Sequence, residues 1–271
     1  MNVTFIGGGN MATALISGLS KSRPGSGWIR VCDPSIEARQ RLEHDYPVAC
    51  SDSATQAVVQ ADTIVLAVKP QVMPAVLAEL AGRVEPGQLV ISIAAGVNIG
   101  TILRALGPDQ AVIRVMPNTP ALIGEGISGL FAAPQCTAEQ RATAERLFAV
   151  AGATVWVEDE ALINVVTAVS GSGPAYYFLL TEALREAGRT LGLSETVAAK
   201  LALHTVSGAG AMAMQSGVDV AELRRRVTSP GGTTQAALEA FEAGNFRQLV
   251  YRAVKAASDR GAELAAAGDK P

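Results

Sequence analysis

Val3-Thr4-Phe5-Ile6-Gly7-Gly8-Gly9-Asn10-Met11-Ala12 decides how the first half of the chain is read. A short apolar-rich run meets three glycines, and Ala14, Leu15, Ile16 and Leu19 then recur at helical spacing. The order is strand, glycine turn, helix, and Gly7, Gly9 and Ala12 match G-x-G-x-x-G/A in the context that motif requires. Each position answers a separate need. Gly7 permits a tight turn, Gly9 lets a pyrophosphate touch the main chain, and Ala12 allows close helix–strand packing. A plain glycine-rich turn would not need these flanking elements, so the stretch is read as a dinucleotide site.

The chain downstream of this turn keeps alternating. Trp28 to Cys32 reads as a second strand ending at Asp33, where an acidic side chain bonds the ribose hydroxyls of an adenosine. Asp33-Pro34-Ser35 would equally cap the helix Ile36 to His44, and the two roles are compatible. Asp33 favours NAD by repelling a 2′-phosphate, while Arg39 and Arg41 lie close enough to offset it, so the preference stays open. Thr63 to Val68 is apolar throughout, as a strand buried on both faces should be, and it stops at Lys69-Pro70 before a helix over Val72 to Leu80. Lys69 reads either as a phosphate contact or as a solvated strand-end lysine.

Leu89 to Ile93 is a further strand, and the small residues Ala94-Ala95-Gly96 after it leave room for a ring against the main chain. Ala111 to Val115 follows, then Met116-Pro117-Asn118-Thr119-Pro120, a rigid polar turn that fits a functional loop or a purely structural one. Gly126 to Phe131, a helix over Ala138 to Val150, and Thr154 to Val157 complete a doubly wound α/β pattern through residue 158.

Beyond Glu158-Asp159-Glu160 the strand signals vanish. Ala161 to Ala168, Pro174 to Leu191, Glu195 to Met214, Val220 to Val227, Thr234 to Phe241 and Phe246 to Ala267 all read as helices. The segment Ala202 to Ala211 has little polar surface and many small residues, so it needs burial on all sides. A domain of this size offers few such places, and packing against the same helix of a second chain is the expected solution.

Composition narrows the function. The 271 residues suit two moderate domains, 49% of them hydrophobic and only 4% aromatic. A net charge of −3 gives no electrostatic case for nucleic acid, and the one basic cluster, Arg224 to Arg226, reads as a solvated helix end. Cys32, Cys50 and Cys136 lack metal spacing, and His44 and His204 lie far apart, so no metal is expected and the thiols read as free in a reducing compartment. With no basic leader and no uninterrupted apolar span, a cytoplasmic protein with a small-molecule substrate is expected.

Ser229-Pro230-Gly231-Gly232-Thr233-Thr234 is a glycine-rich entry into a helix. Such an entry leaves backbone N–H groups unpaired and open to an anion, although Ser and Thr before a helix ordinarily just cap it.

Taken together, Phe5 to Ala12, Ala67-Val68-Lys69-Pro70-Gln71, Arg114 to Pro120, Ser170-Gly171-Ser172-Gly173-Pro174-Ala175-Tyr176 and Val227 to Thr234 resemble pyrroline-5-carboxylate reductase. The blocks span nearly the whole chain in family order. The resemblance implies a Rossmann-like doubly wound sheet, residues 1–158, followed by an all-α dimerisation domain, residues 159–271. It implies reduction of (S)-1-pyrroline-5-carboxylate to L-proline by hydride from NADPH or NADH. Ile6 to Ala12, Asp33, Ala67, Val68, Lys69, Pro70, Ala94, Ala95 and Asn118 would then bind the cofactor. Ser229, Pro230, Gly231, Gly232, Thr233 and Thr234 would hold the substrate carboxylate, and Thr234 would stand at the ring nitrogen. Homodimers through the helical domain, assembled further into decamers, are implied as well. Ala54 aligns where the family often has an adenosine-contacting Asn, so that contact is not expected here. The alternatives are a β-hydroxyacid dehydrogenase-like enzyme, which needs a second-domain lysine and finds only Lys200 near the middle of that domain, and a non-catalytic NADP-sensing protein.

Overall fold

The computed structural model describes residues 1–22 and 28–268; residues 23–27 and 269–271, inside the two expected domains, lie outside this description. The chain divides into two compact units, Met1–Ser172 with Ala256–Pro271, and Gly173–Lys255. The expected limit at residue 158 follows the last strand. The packing limit at Ser172 also takes in a short helix and a π-helical turn.

The first unit is built on eight strands among the described residues: β1 (Val3–Ile6), β2 (Ile29–Cys32), β3 (Ala49–Ser51), β4 (Thr63–Leu66), β5 (Leu89–Ser92), β6 (Ala111–Met116), β7 (Gly126–Ala132) and β8 (Gly152–Trp156). Their order is β3-β2-β1-β4-β5-β6-β7-β8. Pairing is parallel throughout except between β6 and β7. The strands β1, β4 and β5 are buried at every position, which is why their sequences are apolar runs without alternation.

Helices cover both faces. Phe5, Val31, Ile91 and Val115 pack with α1 (Asn10–Ser22), α2 (Ile36–Asp45) and α6 (Ala138–Ala149) through Leu15, Ile16, Leu42 and Phe148. Ile64, Leu66, Val90 and Val112 pack with α3 (Ala54–Ala57), α4 (Met73–Leu80) and α5 (Ile99–Leu106) through Ala57, Leu77, Leu80 and Ile102. Each such buried aliphatic or aromatic side chain contributes on the order of 1.5–3 kcal/mol. Helix starts follow local chemistry: Ser35 Oγ accepts from Ala38 N at 3.1 Å, and Thr137 with Gln140 forms a reciprocal capping box. After β8 come α7 (Leu162–Val166) and a π-helical turn, Thr167–Gly171.

The second unit holds α8 (Gly173–Thr190), α9 (Glu195–Gln215), α10 (Val220–Arg226), α11 (Thr233–Ala243) and the first part of α12 (Phe246–Gly268). Only Gly173, Ala198 and Ala202 are buried among the described residues of α8 and α9. Phe178 is 68% exposed, Leu203 61% and Met214 82%. The apolar α9, which needs burial all round, therefore does not obtain it within its own chain. So much bare apolar surface on these helices marks an interaction surface. Among the described residues no helix is long and apolar enough to cross a membrane.

Candidate active site

The sheet register assembles the cofactor half. Cys32 stands beside Ile6, Ile6 beside Leu66, Leu66 beside Ser92, and Ser92 beside Arg114. The segments that leave these strands at Asp33, Gly7, Ala67, Ala94 and Asn118 therefore all emerge at the carboxyl edge, where doubly wound sheets bind ligands.

Gly7 has φ +103°, and a Cβ there would stand 2.6 Å from the carbonyl oxygen of Ala67. Gly8 is tight in a softer way, since a Cβ would meet the end of a side chain, Leu42 Cδ1, at 2.7 Å. Gly9 is different: nothing lies within 4 Å of its absent Cβ. The first two glycines thus serve the fold, and the third keeps open space beside the start of α1. That helix has no acidic residue in its first turn, and its leading N–H groups at Asn10, Met11 and Ala12 are the usual orphan donors of a helix start. Ala12 is buried against the sheet, as close helix–strand packing requires.

Asp33 does more than cap. Its Oδ2 accepts from Gly8 N at 2.7 Å and its Oδ1 from Ser35 N at 2.9 Å. Arg39 donates to the carbonyls of Asp33 and Pro34 at 2.7 and 3.1 Å and lies 3.8 Å from Asp52, so its charge is already engaged. Lys69 is exposed at the turn after β4, just before a 3-10 segment, Pro70–Val72. Ala94 is buried and Ala95 half-buried, and Gly96 (φ +72°) has Leu264 Cβ 3.0 Å from where its own Cβ would be.

Asn118 is committed within the fold. Its Nδ2 donates to Ser170 O at 3.1 Å and its Oδ1 accepts from Ile127 N at 2.9 Å, tying β7 to the π-helical turn. Sequence reading missed a neighbouring cluster. Buried Arg114 reaches Asn98 Oδ1 and Glu160 Oε1, both at 3.1 Å, and Glu160 Oε1 also accepts from Ile99 N at 2.8 Å at the start of α5. Burial pulls the Arg114 guanidinium below its ordinary value, and Glu160 pushes it back up. Nothing in periodicity announces a contact across 46 residues.

The helical unit carries the other predicted residues. Gly231 has φ +69°, a conformation that favours glycine, and α11 begins at Thr233 with no side-chain cap and no acidic residue in its first turn. Two of the loop's own N–H groups are already committed. Gly232 N donates to Ser229 O at 3.0 Å and Gly231 N to Gln235 Oε1 at 2.8 Å, so neither glycine offers a free N–H. The open donors are instead the leading N–H groups of α11, at Thr233, Thr234 and Gln235.

A doubly wound sheet with an open glycine turn at its carboxyl edge, joined to a helical region, defines a dinucleotide-binding oxidoreductase. Residues 2–96 match the family model for NADP oxidoreductase, coenzyme F420-dependent, and residues 160–264 match that for pyrroline-5-carboxylate reductase dimerisation. The pyrroline-5-carboxylate reductase of Pseudomonas aeruginosa is 49% identical over 97% of this chain and 96% of its own. The solved pyrroline-5-carboxylate reductase of Coxiella burnetii superimposes with a TM-score of 0.93 at 40% identity, covering 97% of this chain and 98% of that one. A Plasmodium falciparum pyrroline carboxylate reductase with NADP bound gives 0.85 at 29% identity over 98% of each chain. The chain belongs to the pyrroline-5-carboxylate reductase family, and its helical region is the one through which such chains associate.

Proposed function

We propose that this enzyme reduces (S)-1-pyrroline-5-carboxylate to L-proline with NADPH or NADH. The observation that carries the reading is an open Gly9 turn at the sheet edge together with an uncapped, glycine-led helix entry at Ser229 to Thr234 in the same chain. The first accepts a pyrophosphate; the second accepts a carboxylate. When bound, the nicotinamide supplies the hydride. The N–H groups that begin α11 hold the substrate carboxylate, and this anchoring orients the ring so that C5 of the C=N bond presents to the donor. Orientation of this kind is the larger share of the rate gain.

Hydride addition at C5 leaves the ring nitrogen in need of a proton. A threonine hydroxyl is too weak an acid to give one outright at neutral pH. Thr234 therefore acts as a hydrogen-bond donor that holds the nitrogen and relays a proton from water. Asp33 would hold the adenosine ribose, and Ala94 and Ala95 would line the nicotinamide end. Residues 1–158 form the cofactor domain and 159–271 the substrate and dimerisation domain. The protein works in the cytoplasm as a homodimer through the helical domain, with decamers built from such dimers; the bare apolar faces of α8 and α9 support the dimer. Following oxidation of NADH and of NADPH with and without pyrroline-5-carboxylate tests the reading. Substrate-dependent oxidation is expected, and none with either nucleotide would overturn it.

A further inference from the structure

We propose that Gln235 is a positioning residue for the substrate carboxylate, acting as a neutral clip that holds the glycine turn without placing a negative charge at the anion seat. This rests on reading Ser229 to Thr234 as that seat. The amide is oriented from both ends. Its Oε1 accepts from Gly231 N at 2.8 Å, and its Nε2 donates to Glu239 Oε1 at 2.7 Å, one helical turn further along α11. Gly231 requires an acceptor and Glu239 requires a donor. Of the common side chains of this length, only a carboxamide supplies both.

The position explains why the charge matters. Counting from Thr233 as the first helical residue, Gln235 is the third, the place from which Glu or Gln reaches back to the chain before a helix. Glutamate is the stronger partner for a helix N-terminus in an ordinary capping box because it complements the dipole. Here that same charge would compete with an anionic substrate for the N–H groups of Thr233 and Thr234. The far side of the loop is pinned separately: Thr228 donates from N to Arg225 O at 3.0 Å and from Oγ1 to Arg224 O at 2.6 Å. Gln235 is thus the side chain that fixes the glycine side of the turn, at the φ +69° residue Gly231.

Two variants separate the clip from the charge, assayed with full-length enzyme against pyrroline-5-carboxylate and against 1-pyrroline, the same imine without its carboxylate. Gln235→Glu keeps the acceptor for Gly231 N, replaces the donor to Glu239 with a second carboxylate, and so adds the charge. Its KM for pyrroline-5-carboxylate should rise roughly tenfold or more, by like-charge repulsion a few ångströms from the seat, and high salt should recover much of it. Its kcat, its KM for the nucleotide and its kcat/KM for 1-pyrroline should stay within about twofold, since none of these involves the carboxylate. Gln235→Met keeps the length and removes both the acceptor for Gly231 N and the donor to Glu239. It should raise the same KM roughly threefold to tenfold, the scale of one lost neutral hydrogen bond. An unchanged KM in either variant, or an equal loss with 1-pyrroline, would overturn the role of Gln235 while leaving the enzyme's activity intact. Absence of turnover in the wild type would instead overturn the underlying reading.

Discussion

The backbone N–H of Gly8 donates to Oδ2 of Asp33 at 2.7 Å, so the residue that follows β2 also holds the glycine turn closed. This makes Asp33 a shared part. It fixes the glycine turn and puts a negative charge just after β2, where Arg39 is spent on the carbonyls of Asp33 and Pro34. Asp33→Ser should raise the affinity for 2′-phospho-ADP-ribose relative to ADP-ribose by roughly tenfold, through loss of a like charge close to the phosphate. Calorimetric titration of both ligands measures it, and an unchanged ratio removes Asp33 from cofactor selection.

The glycines of the turn should separate into structural and binding positions. Gly7→Ala forces a side chain onto φ +103° with the Ala67 carbonyl 2.6 Å away, so it should cost about 2–4 kcal/mol of stability. Gly9→Ala meets open space in the free protein and should melt like the wild type. Its added methyl would stand where a pyrophosphate approaches, so nucleotide affinity should fall. Thermal melts set beside nucleotide titrations distinguish the two, and equal stability losses would contradict the division.

Thr234→Ala should lower kcat on the order of tenfold to a hundredfold, the low end of an acid–base contribution. Wild-type turnover would take Thr234 out of the mechanism. Gly232→Val should raise KM, and the structure gives a second cause beside crowding the carboxylate: a Cβ there stands 3.1 Å from Ser229 O, inside the loop's own turn.

Burial pushes the Cys32 thiol from its ordinary 9.0 up to about 11, helped by Glu79, Asp33 and Asp52, and burial does the same for Cys50. The unfolded chain loses these protons first. Stability should therefore be full below pH 9 and fall between pH 9 and about 11, where only the folded state still holds them. Melting temperature against pH should show that slope, and Cys32→Ala should flatten it. A slope unaltered by the substitution would remove Cys32 as its source.

Removing Glu160 would strand Arg114, whose side chain is only 2% exposed. Glu160→Ala should cost about 3 kcal/mol, the range for one lost partner of a buried pair, seen as a lower denaturant midpoint. A midpoint equal to the wild type would mean that Asn98 alone suffices to satisfy the guanidinium.

The parts legible in the sequence are those carried by local pattern. Apolar runs marked β1, β4 and β5, and the glycine turn marked the helix that follows, because burial on both faces and a tight turn leave direct traces in residue type. The three-residue β3 and the four-residue α3 are too short to establish a period, and α5, although as long as α4, was not anticipated either. The Asn118 ties to Ser170 and Ile127, and the commitment of Gly231 N to Gln235, depend on where separate segments meet. The loop at Ser229 reads from the sequence as a glycine-rich helix entry, but which of its N–H groups are already bonded required the geometry of the turn.

The most direct test follows the hydride. The enzyme is incubated with pyrroline-5-carboxylate and a nicotinamide nucleotide carrying deuterium at its transferable position, and the product is examined by mass spectrometry. L-Proline with one deuterium at C5 is predicted. Formation of no proline, or of proline without label at C5, would contradict the assignment.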